Sequence, residues 1–179
     1  MTKKTLKPKA GTRTKTGGAR IGRRKRIDTA TDPYLLKEEY PDASECKKCR
    51  SVYHDKRWMH PNNVPIEAGA VPRKKVLCPA CLKIKDNYAE GFITLEGEFL
   101  AEHKDEILNL IRNKEELAAH INPLERIIEI KERKGGIEIS TTTEKLAERI
   151  GQILKKTYHG SVDYKWSSDT KLARVVWMR

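Results

Sequence analysis

Apolar and polar positions fall into two rhythms in the C-terminal half of the chain. After a short bridge at residues 88–91, Phe92-Ile93-Thr94-Leu95 is an apolar run that reads as a strand. From residue 98 to 121 the apolar side chains recur mostly three or four apart: Phe99, His103, Ile107, Leu110, Ile111, Leu117 and Ile121. That spacing, with Pro123 just beyond, predicts one long amphipathic helix with His103 buried and hydrogen-bonded on its inner face. Beyond Leu124 the period drops to two. Ile128 and Ile130 alternate with charges, Lys134-Gly135-Gly136 turns the chain, and Ile137 and Ile139 alternate back.

Thr141 and Glu144 then stand at capping-box spacing. Leu146, Ile150, Ile153 and Leu154 form one helix face that Gly160 closes. Val162, Tyr164 and Trp166 alternate, residues 167–170 turn, and residues 172–178 return. The order is ββαββ: one helix on a four-stranded sheet, an α+β domain over residues 123–179. Residues 92–122 form the strand and connecting helix before it.

The N-terminal residues follow neither rhythm. Residues 1–26 hold only Met1, Leu6, Ala10, Ala19 and Ile21 as apolar side chains, too few to offset the entropy of ordering them. They read as a disordered tail when free. Their cations are Lys3, Lys4, Lys7, Lys9, Arg13, Lys15, Arg20, Arg23, Arg24, Lys25 and Arg26, with no acid among them. Over 179 residues the chain has 37 Lys+Arg against 25 Asp+Glu, and the tail supplies eleven of the twelve net positive charges. Residues 27–44 are acidic, residues 45–85 carry a further net +7, and residues 86–179 are close to neutral. A near-neutral body with two cationic devices points to a polyanionic partner. Glycines that thread narrow gaps and guanidinium groups that fork onto phosphates favour nucleic acid over a membrane surface.

Four cysteines interrupt the second basic stretch in two pairs, Cys46-Lys47-Lys48-Cys49 and Cys78-Pro79-Ala80-Cys81. Each C-x2-C turn brings two thiolates within reach of one ion, and two such turns complete a closed tetrahedral site for one structural Zn2+. An iron–sulfur centre or a redox pair is the lesser alternative. A redox pair needs one C-x-x-C at a strand-to-helix junction, and these two read as basic turns. Residues 27–91 are thus expected to form a four-cysteine zinc ribbon with its flanks. Arg50 and Leu82 occupy the positions after each second cysteine where glycine is common. His54 and His60 lie inside the loop and read as surface side chains. Lys47, Lys48, Arg50, Lys56, Arg57, Arg73, Lys74 and Lys75 are the module's candidate RNA contacts. Tyr53 and Trp58 beside them either stack on bases or pack the ribbon.

No phosphate-binding glycine loop, nucleophile elbow or H-E-x-x-H motif is present, so an enzyme is not expected. No apolar stretch approaches the roughly 18 residues of a membrane helix, and no apolar segment follows the basic N-terminus. A cytoplasmic protein with no small-molecule substrate is the expectation.

The ordered set of motifs is itself distinctive. Besides the cysteine pairs it includes residues 95–100 (LEGEFL), 103–107 (HKDEI), 123–127 (PLERI), 141–143 (TTT), 146–151 (LAERIG) and 174–177 (RVVW). This order resembles a family of short bacterial zinc-ribbon proteins of unknown function. That family is similar in turn to the N-terminal region of the archaeal and eukaryotic adaptor for export of the large ribosomal subunit. The resemblance implies a factor that binds ribosomal RNA and ribosomal proteins on the large subunit, in assembly, quality control or dormancy. The competing reading is a DNA-binding zinc-ribbon transcription regulator. No helix carries the stripe of Arg, Asn and Gln that major-groove reading needs, which lowers it.

Overall fold

The computed structural model describes residue 34 and residues 40–65, 74–167 and 171–179. The basic tail, Arg73 and the turn residues Ser168, Asp169 and Thr170 lie outside the described residues. The protein is α+β, with two sheets and four α-helices among the described residues.

The first sheet is built from very short strands: β1 (Ser44–Cys46), β2 (Val52–His54), β3 (Arg57–Met59) and β4 (Lys75–Val76), in the order β3-β2-β1-β4. Asp55 and Lys56 close the β2–β3 hairpin with φ of 47° and 62°, the positive values a two-residue turn matching strand twist requires. The chain then enters helix α1 (Pro79–Lys85) directly after β4.

The second sheet holds the main core. Its strands are β5 (Gly91–Glu96), β6 (Ile127–Arg133), β7 (Gly136–Thr141), β8 (Ser161–Trp166) and β9 (Ala173–Met178), in the order β6-β7-β5-β9-β8. The elements after Leu124 do not make a sheet by themselves. β5 lies between β7 and β9, antiparallel to one and parallel to the other, so the expected four-stranded sheet has five strands. The period of two shows why β5 is central: Ile93 and Leu95 share one buried face with Ile137, Ile139, Val175 and Trp177. Helix α4 (Glu144–Tyr158) covers that face with Leu146, Ala147, Ile150 and Leu154, all fully buried.

The long helix expected over residues 98–121 is two, α2 (Glu98–Glu102) and α3 (Lys104–Ile121). His103 breaks it at φ −116° and ψ 21°. Its ring is half-buried, stacked on Phe99 at 4.0 Å and 3.4 Å from the Glu106 carboxylate, so it is not an interior histidine. Spacings of four and seven generate two apolar stripes on α3, about 80° apart at about 100° per residue. Ile107, Ile111 and Ala118 face the core, whereas Leu117 and Ile121 on the other stripe are 64% and 78% exposed. The cap of α4 is also shifted. Thr143 accepts from the Leu146 N–H at 3.3 Å, and Thr141 donates its hydroxyl to the Thr143 carbonyl at 2.9 Å, so no Thr141–Glu144 capping box forms.

At Gly151 helix α4 packs closely on the sheet. A Cβ there would lie 2.7 Å from Val175 Cγ1 and 3.0 Å from the Tyr164 hydroxyl. Gly151→Ala gains about 1 kcal/mol of helix propensity but must displace β-branched Val175 in a packed layer. The expected outcome is a net loss of about 1–2 kcal/mol, read as a lower urea midpoint with unchanged slope.

Candidate metal centre

The two cysteine pairs reach their common point by different local geometries. Cys46 ends β1, and the chain turns back so that the Arg50 N–H donates to the Cys46 carbonyl at 3.0 Å. Arg50 itself holds φ 62°, the left-handed region where glycine is favoured, so the absent glycine is replaced by a strained arginine. The second pair is not a basic turn. Cys78 is the N-cap of α1, Pro79 follows it, and Cys81 lies in the first helical turn. The Cys81 and Cys78 N–H groups point at sulfur, 3.5 Å from Cys78 Sγ and 3.4 Å from Cys46 Sγ. Leu82 is helical, which is why no glycine is needed after Cys81.

All four Sγ atoms lie within 4.8 Å of one another. Cys49 and Cys78 are 3.6 Å apart across the pairs, beyond a disulfide bond and close to the edge of a tetrahedron with metal–sulfur bonds of about 2.3 Å. These thiolates can hold one metal ion. Cys46, Cys78 and Cys81 are buried and Cys49 is half-buried, with the Ser51 hydroxyl 3.1 Å from its sulfur. Among the described residues, no other group of three or more His, Cys, Asp and Glu side chains is placed to share an ion.

The sulfurs titrate as a unit. Hydrogen bonds from Cys78, Cys81 and Ser51 push the Cys49 thiol well below its ordinary range, against the effect of burial. Donating to Cys49, with burial adding, pushes Cys78 far up and Cys81 up to about 12. Cys78–Cys81 does stand at a strand-to-helix junction, the setting of a redox pair. Yet its two sulfurs lie within 4.8 Å of those of Cys46 and Cys49, in a four-sulfur cluster that a redox pair does not require.

Tyr40, Tyr53 and Trp58 pack around the cluster with ring centroids 5.0 to 5.5 Å apart. Tyr53 and Trp58 are at most 9% exposed, so they fill the module and do not offer faces for base stacking. His54 pairs with Asp42 at 3.2 Å, and His60 caps a short 3-10 turn and meets the His120 ring at 4.6 Å, tilted by 47°; neither joins the sulfurs. The cations Lys47, Lys48, Arg50, Lys56, Arg57, Lys74 and Lys75 are all exposed. Strand pairing divides them. Lys47, Lys48 and Arg50 stand at the sulfur end of the small sheet. Lys56, Arg57, Lys74 and Lys75 stand at its other end. Arg57 and Lys75 there approach Asp55 and Glu45 at 3.4 and 2.7 Å.

Three buried charged groups had no sequence signal. Lys83, two residues after Cys81, puts its ammonium 2.5 Å from Glu90 Oε1 and 3.3 Å from the Thr142 carbonyl. Glu125 is 2% exposed and accepts from Arg149 of α4. In the sequence these groups are indistinguishable from solvated charges.

No protein-family model, curated protein or solved structure matches the chain. Among the described residues no helix is long and apolar enough to cross a membrane.

Metal uptake must expel the protons of Cys78 and Cys81, both still bound near neutrality. Metal binding therefore strengthens as pH rises. Competition with a chelator of known protonation should show log affinity climbing by at least about two per pH unit between about pH 6 and 8. A flat profile would place the metal elsewhere.

Proposed function

We propose that this protein is a non-enzymatic, zinc-stabilised RNA-binding factor of the large ribosomal subunit. The observation that carries it is the distribution of charge: eleven cations in residues 1–26 without an acid, followed by exposed cations around a four-sulfur cluster. Four thiolates and no oxygen or nitrogen donor suit zinc, in a closed ribbon-like site whose role is to hold residues 45–85 together. The cations at its two ends seat the module on phosphates, while the tail enters between packed RNA helices whose grooves a folded domain cannot read. The ββαββ-bearing domain, near neutral, supplies contacts to ribosomal proteins. The family resemblance supports the large subunit as the site, and the cytoplasm as the place.

Sucrose-gradient sedimentation of cell extracts tests this most directly. The factor should co-migrate with large-subunit RNA at physiological salt, and the purified chain should hold about one zinc by elemental analysis. Added protein should inhibit cell-free translation, and reversing Arg50, Arg57 or residues 73–75 should relieve it. Recovery of small-subunit RNA alone would overturn the reading, and recovery of double-stranded DNA in preference to ribosomes would overturn it in favour of a transcription regulator.

Deleting residues 1–26 tests the tail separately. Each cation on a phosphate contributes to the salt dependence of binding, so the slope of log affinity against log salt should become clearly shallower. The remaining chain should stay folded, since the tail contributes few apolar groups. An unchanged slope assigns the tail another role.

A further inference from the structure

The two edges of the large sheet are not equivalent. β6 carries a register shift between Ile127 and Glu129, which distorts that edge. β8, at the opposite edge among the described residues, pairs with β9 through six consecutive residues without a shift, and contains no proline. The Ala173 N–H donates to the Glu90 carbonyl, on the β5 side of β9. By alternation Arg174, Val176 and Met178 bond β8, through Lys165, Asp163 and Ser161. Val162 and Tyr164 therefore turn their backbone N–H and C=O groups outward along an undistorted edge.

The side chains of this strand are self-complementary. In an antiparallel pairing of β8 with a second β8 about a two-fold axis at Tyr164, Tyr164 faces its own copy and exchanges both backbone hydrogen bonds. Asp163 then faces Lys165 of the other copy twice, as non-hydrogen-bonded pairs, where side chains approach most closely. Both are exposed (63% for Asp163, 76% for Lys165), and the 3.5 Å ion pair they make within the chain lies in solvent, where it exchanges readily for a pair across the edge. On the helix face Val162 meets Trp166 of the copy. Trp166 is 50% exposed, and its ring is already fixed by stacking on Tyr164 at 5.7 Å and by donating to Glu148 at 2.6 Å. Moving the axis one residue either way sets Asp163 against Asp163 or Lys165 against Lys165. Charge alone selects one register.

We propose that β8 is a homodimerisation edge, joining two copies of this chain into one continuous ten-stranded sheet. A single six-residue strand pair buries less than a standard interface, so the dimer is weak and concentration-dependent. The proposal is independent of the RNA reading.

Sedimentation equilibrium of the nucleic-acid-free full chain, from micromolar to submillimolar, tests it. The wild type should show a monomer–dimer equilibrium. D163K and K165D should each weaken it by about tenfold or more, because each sets two like-charge pairs opposite one another. Mixing the two variants should restore association, since both cations on the strand of the first then face both carboxylates on the strand of the second. The double exchange D163K/K165D should again self-associate. Restoration on mixing also shows that both variants are folded. A wild type that stays monomeric throughout, a dimer that neither reversal weakens, or a mixture no tighter than its components would overturn the proposal.

Discussion

Four sulfur atoms from two cysteine pairs with 28 residues between them converge within 4.8 Å, and the N-terminal half of the structure depends on that convergence. Strands of two and three residues cannot hold a sheet by their hydrogen bonds alone. The apolar matter around them is small: two tyrosines, a tryptophan and a few aliphatic groups, with the cysteines themselves at the centre. The strained Arg50, the capping Cys78 and the N–H groups aimed at sulfur all serve one geometric end. Fixing the sulfurs fixes the directions in which Lys47, Lys48 and Arg50 leave the module.

The cysteine module is tied to the large sheet through polar groups more than through apolar ones. Cys81 and Lys83 share α1, and Lys83 reaches both Glu90, just before β5, and the Thr142 carbonyl. The Thr142 hydroxyl donates to the Leu124 carbonyl at 2.6 Å and accepts from the Arg126 N–H at 2.9 Å. The next residue caps α4. Buried charge pairs of this kind contribute orientation more than net stability, because desolvation offsets their attraction. The two sheets are consequently held in a set relation by directional contacts, which a greasy interface would not impose.

Local chemistry was readable from the sequence, and convergence from afar was not. The cysteine pairs are visible because ligation demands two thiols at fixed spacing, and the strands of residues 124–178 because one buried face forces alternation. What the alternation left open was sheet order. Nothing in Phe92-Ile93-Thr94-Leu95 states that it pairs with a strand eighty residues later, yet that pairing makes β5 central. Spacing on α3 fits two stripes equally, and only the sheet chooses Ile107 and Ile111 over Leu117 and Ile121. Cations near aromatics suited stacking on bases, but a module poor in apolar residues needs Tyr53 and Trp58 inside.

The position of β9 has a consequence for the order in which the molecule can be made. Every residue of the cysteine module has been synthesised by Lys85, so that part can close while translation continues. β5 follows at once, but one of its two neighbours is β9, which ends at Met178. Until that strand emerges, Ile93 and Leu95 have a partner on one side only, and Trp177 is missing from the layer beneath α4. Chain order thus lets the small cationic head close before the sheet, and it leaves Ile93 and Leu95 half-covered until the last strand is made.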